Sequence, residues 1–137
     1  MRLRKSIRAR NHRRGVAASE LAVCLPVLVL LVLAMIECCT MIFLKQSLTV
    51  AAYEGIRTAV EPSATAATVR TASESVLTDR RVQGGTVTIT PVDFQNLARG
   101  QYIELTVTAP ADENSVIPGS FFRGRTLSAA ASMMKEF

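Results

Sequence analysis

RRGVAASELAVCLPVLVLLVLAMIECCTMIFL, residues 13–44, decides how the rest of the chain is read. Leu21 to Ile36 is a run of sixteen residues without a charge. As a helix it covers ~24 Å, short of a ~30 Å hydrocarbon core. Extending to Leu44 gives twenty-four residues with Glu37 as the only charge, or ~36 Å, enough to cross with tilt. Glu20 and Glu37 then stand ~25 Å apart and bracket the span instead of occupying its middle. Lys45 follows where a long basic side chain reaches the interface. A removable secretory signal has a shorter apolar core of 7–15 residues and a small-residue cleavage site. Glu37-Cys38-Cys39 does not supply that site. The run reads as an anchor, with Pro26 expected to kink or loosen one turn of it.

Upstream of the run, Arg2, Arg4, Lys5, Arg8, Arg10, Arg13 and Arg14 form a block of +7 with no acid. Nine of the sixteen basic residues remain after it, against eleven acidic ones, so the rest of the chain carries −2. Basicity belongs to the leader and not to a domain surface. A nucleic-acid arm has this charge, but such arms are not normally joined directly to a membrane-length apolar segment. The positive-inside rule accounts for it as a topological signal that keeps the N-terminus cytoplasmic. No nucleic-acid partner is expected. Cys24, Cys38 and Cys39 all lie in or beside the apolar run, so no disulfide framework is expected downstream. They read as small buried hydrophobes. The single histidine, His12, is in the leader, and neither metal nor cofactor is expected.

Beyond the anchor the pattern stays helical. Leu44, Leu48, Ala51, Ala52, Ile56 and Ala59 recur at three- and four-residue intervals. Gly55 permits close approach of a neighbour, and Pro62 ends the helix. Ser63 reads as the N-cap of a second helix to about Arg81, with Ala66, Val69, Ser73, Val76 and Leu77 on one side. Gln83-Gly84-Gly85 marks a turn. Thr86–Thr90 and Tyr102–Thr108 then alternate polar and apolar residues, as strands of a hairpin closed by 91–100. Ile103, Leu105 and Val107 are expected to face the helix. Residues 110–120 read as a loop. Residues 126–135 alternate Leu127, Ala129, Ala131 and Met133 against Ser128, Ala130, Ser132 and Met134. They favour a third strand, with a short helix as the alternative. The expected class is α+β, in three parts: a basic leader 1–15, a transmembrane helix 16–44, and an extracytoplasmic domain 45–137. That domain holds a helix extension 45–60, a helix 63–81, and strands at about 86–90, 102–108 and 126–135.

Arg13-Arg14-Gly15, Glu20-Leu21, the Leu25-Pro26 step, Ile36-Glu37 and Gln46 through Arg57 together resemble the TadE-like (TadE/TadG) proteins of tight-adherence pilus systems, which are pseudopilin-like. The basic leader closed by Gly15, with a glutamate five residues on, is similar to the processing site of type IV prepilins. The resemblance implies cleavage between Gly15 and Val16 by a prepilin peptidase. It further implies that Glu20 serves assembly with other pilins or pseudopilins and an inner-membrane platform. Cleavage removes the +7 block and exposes an amine at Val16. An amine and a carboxylate attract strongly in low dielectric, so Glu20 is suited to pair with the amine of a neighbouring subunit. Without that pairing, Glu20 is an interfacial carboxylate solvated by headgroups.

The leading expectation is therefore a non-enzymatic, membrane-anchored minor pseudopilin taking part in pilus assembly, adhesion or secretion. Its expected location is the bacterial cytoplasmic membrane, single-pass, with the N-terminus inside. The alternative is an uncleaved, signal-anchored extracytoplasmic binding module. An enzyme is not expected, since no serine, cysteine or acid cluster is supported by a histidine and no glycine loop cradles phosphate.

Overall fold

The computed structural model describes residues 6–117 and 122–136, with side chains from residue 15 onward. The chain divides into two units, Met1–Ile36 and Glu37–Phe137. One helix, α1 (Ser6–Ala59), supplies the described part of the first unit and the opening element of the second.

In the first unit the large apolar side chains of α1 from Val16 to Ile36 are exposed. The helix is unbroken at Pro26, whose ring removes one backbone donor. Cys24 is exposed here, and Cys38 and Cys39 are exposed in the second unit. This corrects the expectation that they are buried: they lie off the one stripe of α1 that meets protein. Among the described residues, α1 is the one helix long and apolar enough to cross a membrane.

The second unit is α+β. Glu37, Met41, Leu44, Ser47, Leu48, Ala51, Ala52, Gly55, Ile56 and Ala59 form a continuous buried stripe on α1. The spacing read from the sequence places Leu44 to Ala59 in it, and the structure carries it one further turn and more toward the N-terminus. α1 stops at Ala59, short of Pro62, and two turn hydrogen bonds follow, Glu61 N–H to Thr58 O and Ala64 N–H to Glu61 O.

Helix α2 (Ala66–Asp79) begins two to three residues later than the sequence suggested. Its N-cap is Thr65 and not Ser63. The Thr68 N–H donates to Thr65 Oγ1 at 3.2 Å while the Thr65 N–H donates to Thr68 Oγ1 at 2.9 Å. This reciprocal capping box satisfies two backbone donors, which a lone serine at position 63 has no Thr68 to answer. Val69, Ser73 and Leu77 are buried. The far end closes as a Schellman motif, with the Val82 N–H on Leu77 O and the Arg81 N–H on Thr78 O.

Strands β1 (Thr86–Thr90), β2 (Tyr102–Pro110) and β3 (Thr126–Met134) form an antiparallel meander in the order β1-β2-β3. The register sets Ile89 opposite Leu105 and Leu105 opposite Ala131, so the apolar sides of all three strands coincide. Residues 126–134 are thus a strand, and the helical alternative is set aside. Ile103, Leu105 and Val107 are fully buried, as the alternation implied. The β1–β2 connection contains a 3-10 turn, Phe94–Asn96, that drives Phe94 into the core at 2% exposure. A four-residue helix, α3 (Ala111–Asn114), interrupts the connection from β2 to β3.

Candidate functional sites on the first helix

Gly15, Val16 and Glu20 lie on helical backbone in the first unit, all exposed. Five residues of helix separate Gly15 from Glu20 by ~7.5 Å along the axis. A Cβ placed on Gly15 meets nothing within 4 Å. Among the described residues no packing in this unit requires glycine there. Ser19 Oγ donates to Val16 O at 2.7 Å, a local bond along the helix. Glu20 makes no hydrogen bond or ion pair among the described residues. The structure places the three residues within little more than one helical turn of one another, with Glu20 exposed and without a partner among the described residues.

The sequence reading sets Glu37 near the far end of the span, and the structure adds that it is buried in the domain. Its side chain is at 0% exposure. Ser115 Oγ donates to Glu37 Oε1 at 2.8 Å, and the same hydroxyl accepts from the Ile117 N–H at 3.3 Å. Glu37 Oε2 has no hydrogen-bond partner among the described residues. The spacing Glu37, Met41, Leu44, Leu48 could have revealed this, because the carboxylate continues the buried stripe by one turn. A half-satisfied buried carboxylate is costly, so the segment 115–117 is held against α1 by a contact with little margin.

Elsewhere on α1, Gly55 lies directly under α2 and β2. A Cβ built there would be 2.9 Å from Leu105 Cδ1, with Ser73 Oγ nearer still. This close approach is the role the sequence suggested for Gly55. Arg57 and Glu54 form an exposed pair at 4.0 Å, which contributes little. Among the described residues no group of histidine, cysteine or acidic side chains is arranged to hold a metal ion.

The architecture defines a class: an apolar helix of membrane-spanning length continuing into a small α+β domain. Residues 15–57 match the family described as TadE-like protein. The matched segment begins at Gly15, contains Glu20 and Glu37, and ends two residues before the end of α1. The resemblance read from the sequence holds over those residues; α2 and the meander lie outside the match. Comparisons with curated proteins and with solved structures found no match.

Proposed function

We propose that this chain is a membrane-anchored, non-enzymatic minor pseudopilin that takes part in assembly or secretion by a tight-adherence pilus system. The observation that carries the reading is the TadE-like match from Gly15 to Arg57, which opens on the glycine that closes the basic leader. An apolar helix of spanning length supports the anchor, and the +7 leader supports a cytoplasmic N-terminus in a bacterial inner membrane. On this reading a prepilin peptidase cuts after Gly15. Glu20, exposed and without a partner among the described residues, accepts the new amine of a neighbouring pilin or pseudopilin. The exposed apolar surface of residues 16–36 meets lipid first and other helices afterwards.

The test is the size and association of two variants in cells with an active prepilin peptidase. Gly15→Val should leave a full-length precursor, and Glu20→Ala should be cut but fail to co-purify with its neighbours. A second reading, an uncleaved anchor displaying a binding module, is favoured by the helical backbone running from Ser6 through Gly15 and Val16. A protease must unwind that backbone to act. Under that reading neither substitution changes the size of the protein.

A further inference from the structure

A cleft of about 210 Å³ opens where α1, the turn after α2 and α3 meet. Thr40 and Phe43 of α1 line one wall, Arg80 and Arg81 a second, and Glu113 and Ser115 a third. We propose that this cleft receives the phosphate of a phospholipid headgroup, so that the domain rests against the bilayer surface from which α1 emerges.

Three observations lead there. The first is charge. Arg80 and Arg81 make no ion pair among the described residues, and the cleft keeps a balance of +1 after Glu113 is counted. Guanidinium groups bind phosphate through paired N–H donors and do so in partly dehydrated sites where lysine serves less well. The second is backbone. Arg81 occupies the C′ position of the Schellman motif at φ 57°, a left-handed conformation that favours glycine. The turn itself gives no reason for an arginine there, so the reason lies in its side chain.

The third is depth. The large apolar side chains of α1 are exposed from Val16 to Ile36, twenty-one residues or ~31 Å of helix, about the thickness of a hydrocarbon core, and burial begins at Glu37. With that stretch in the core, residues 37–44 of the same helix fall at its edge, in the interfacial layer. Ile42 and Phe43 in those turns are 58% and 51% exposed, and Val116, next to Ser115, is exposed as well. Apolar side chains presented around a basic cleft suit the headgroup layer, where one side is greasy and the other wet. A purely local alternative exists: basic residues at a helix C-terminus offset the helix dipole.

The inference rests on α1 spanning a bilayer, and the test separates the two. The full chain is first incorporated into phosphatidylcholine nanodiscs; failure to incorporate overturns the anchor and this inference with it. The incorporated protein's cousin in neutral detergent micelles is then titrated with dihexanoylphosphatidylglycerol, with inorganic phosphate as comparator, following backbone amide shifts. Saturable shifts at Thr40, Arg81 and Ser115 are expected with the lipid, at least tenfold tighter than with phosphate. Arg81→Gly relieves the left-handed strain, so the domain's melting temperature should rise while lipid affinity falls tenfold or more. Arg80→Gln should weaken binding likewise, and Glu113→Gln should tighten it severalfold. A role confined to the helix cap gives an Arg81→Gly protein with unchanged lipid affinity, and that result overturns the proposal. Equal affinity for inorganic phosphate and lipid overturns it too, since the cleft is then an anion site without a membrane role.

Discussion

Adding one methyl group at Gly55 sets two sizeable effects against each other, and the structure says which is larger. Glycine inside a helix costs ~1 kcal/mol relative to alanine, so Gly55→Ala on a bare helix would stabilise. Here the new Cβ lands 2.9 Å from Leu105 Cδ1 and 3.4 Å from Leu105 Cδ2. Ser73 Oγ is closer, but it has no hydrogen-bond partner among the described residues and can rotate without breaking one. Leu105 is fully buried between α1 and its strand neighbours and cannot step aside. Overpacking of this kind costs ~1–3 kcal/mol, so the expected net is a loss of about 1 kcal/mol after the helix gain is subtracted. Ser73→Ala, in contrast, removes a buried hydroxyl without a partner and should stabilise by about 1 kcal/mol. The two effects should roughly cancel in the double variant, to within ~0.5 kcal/mol, because the hydroxyl can turn aside and Leu105 carries the clash. Pulse proteolysis of the full chain across a urea gradient in micelles reads the stability of the domain without unfolding the micelle-bound helix. If Gly55→Ala raised the urea midpoint as it would on an exposed helix, the packing of α1 under α2 and β2 described here would be wrong.

Other substitutions address the remaining contacts. Thr65→Ala should cost ~1 kcal/mol through the lost capping box, whereas Ser63→Ala should change stability by no more than ~0.5 kcal/mol, both measured by the same urea midpoints. Ile56→Asp places a carboxylate at a fully buried position, and the domain should become protease-sensitive without denaturant; resistance equal to wild type would contradict the assigned core. Ser115→Ala should destabilise by ~1–3 kcal/mol by leaving Glu37 with neither oxygen paired, while the double variant Ser115→Ala with Glu37→Met should recover most of that loss. A periplasm-dependent reporter fused after Phe137 should be active, and a cytoplasmic reporter at the same position should be silent.

The legible parts of the fold were those carried by repetition. The three- and four-residue recurrence from Leu44 to Ala59 identified the buried stripe of α1. The two-residue alternation of Tyr102–Thr108 identified the sheet face carrying Ile103, Leu105 and Val107. Features decided by single contacts between distant segments were not legible. Phe94 sits in a connection where nothing periodic marks it as core, and only the 3-10 turn aims it inward. Ser63 and Thr65 are both hydroxyl residues ahead of the same helix, and the choice between them rests on Thr68 answering back. Glu37 was assigned to the membrane face because a carboxylate at the end of an apolar run usually meets water. Its partner, Ser115, is 78 residues away in sequence. Of the candidate processing and assembly site, Gly15, Val16 and Glu20 were legible as a spacing along the chain. Their chemistry depends on a new N-terminus and a neighbouring subunit, neither of which the sequence of one chain contains.

The most direct test of the functional account is the N-terminal sequence of the protein recovered from the membranes of its native host, grown with an active prepilin peptidase. Cleavage after Gly15 removes the basic block and frees the amine that Glu20 is proposed to meet. The account predicts a mature chain beginning at Val16, in wild-type protein and in Glu20→Ala alike. A chain that still carries Arg13-Arg14-Gly15 under those conditions would contradict it.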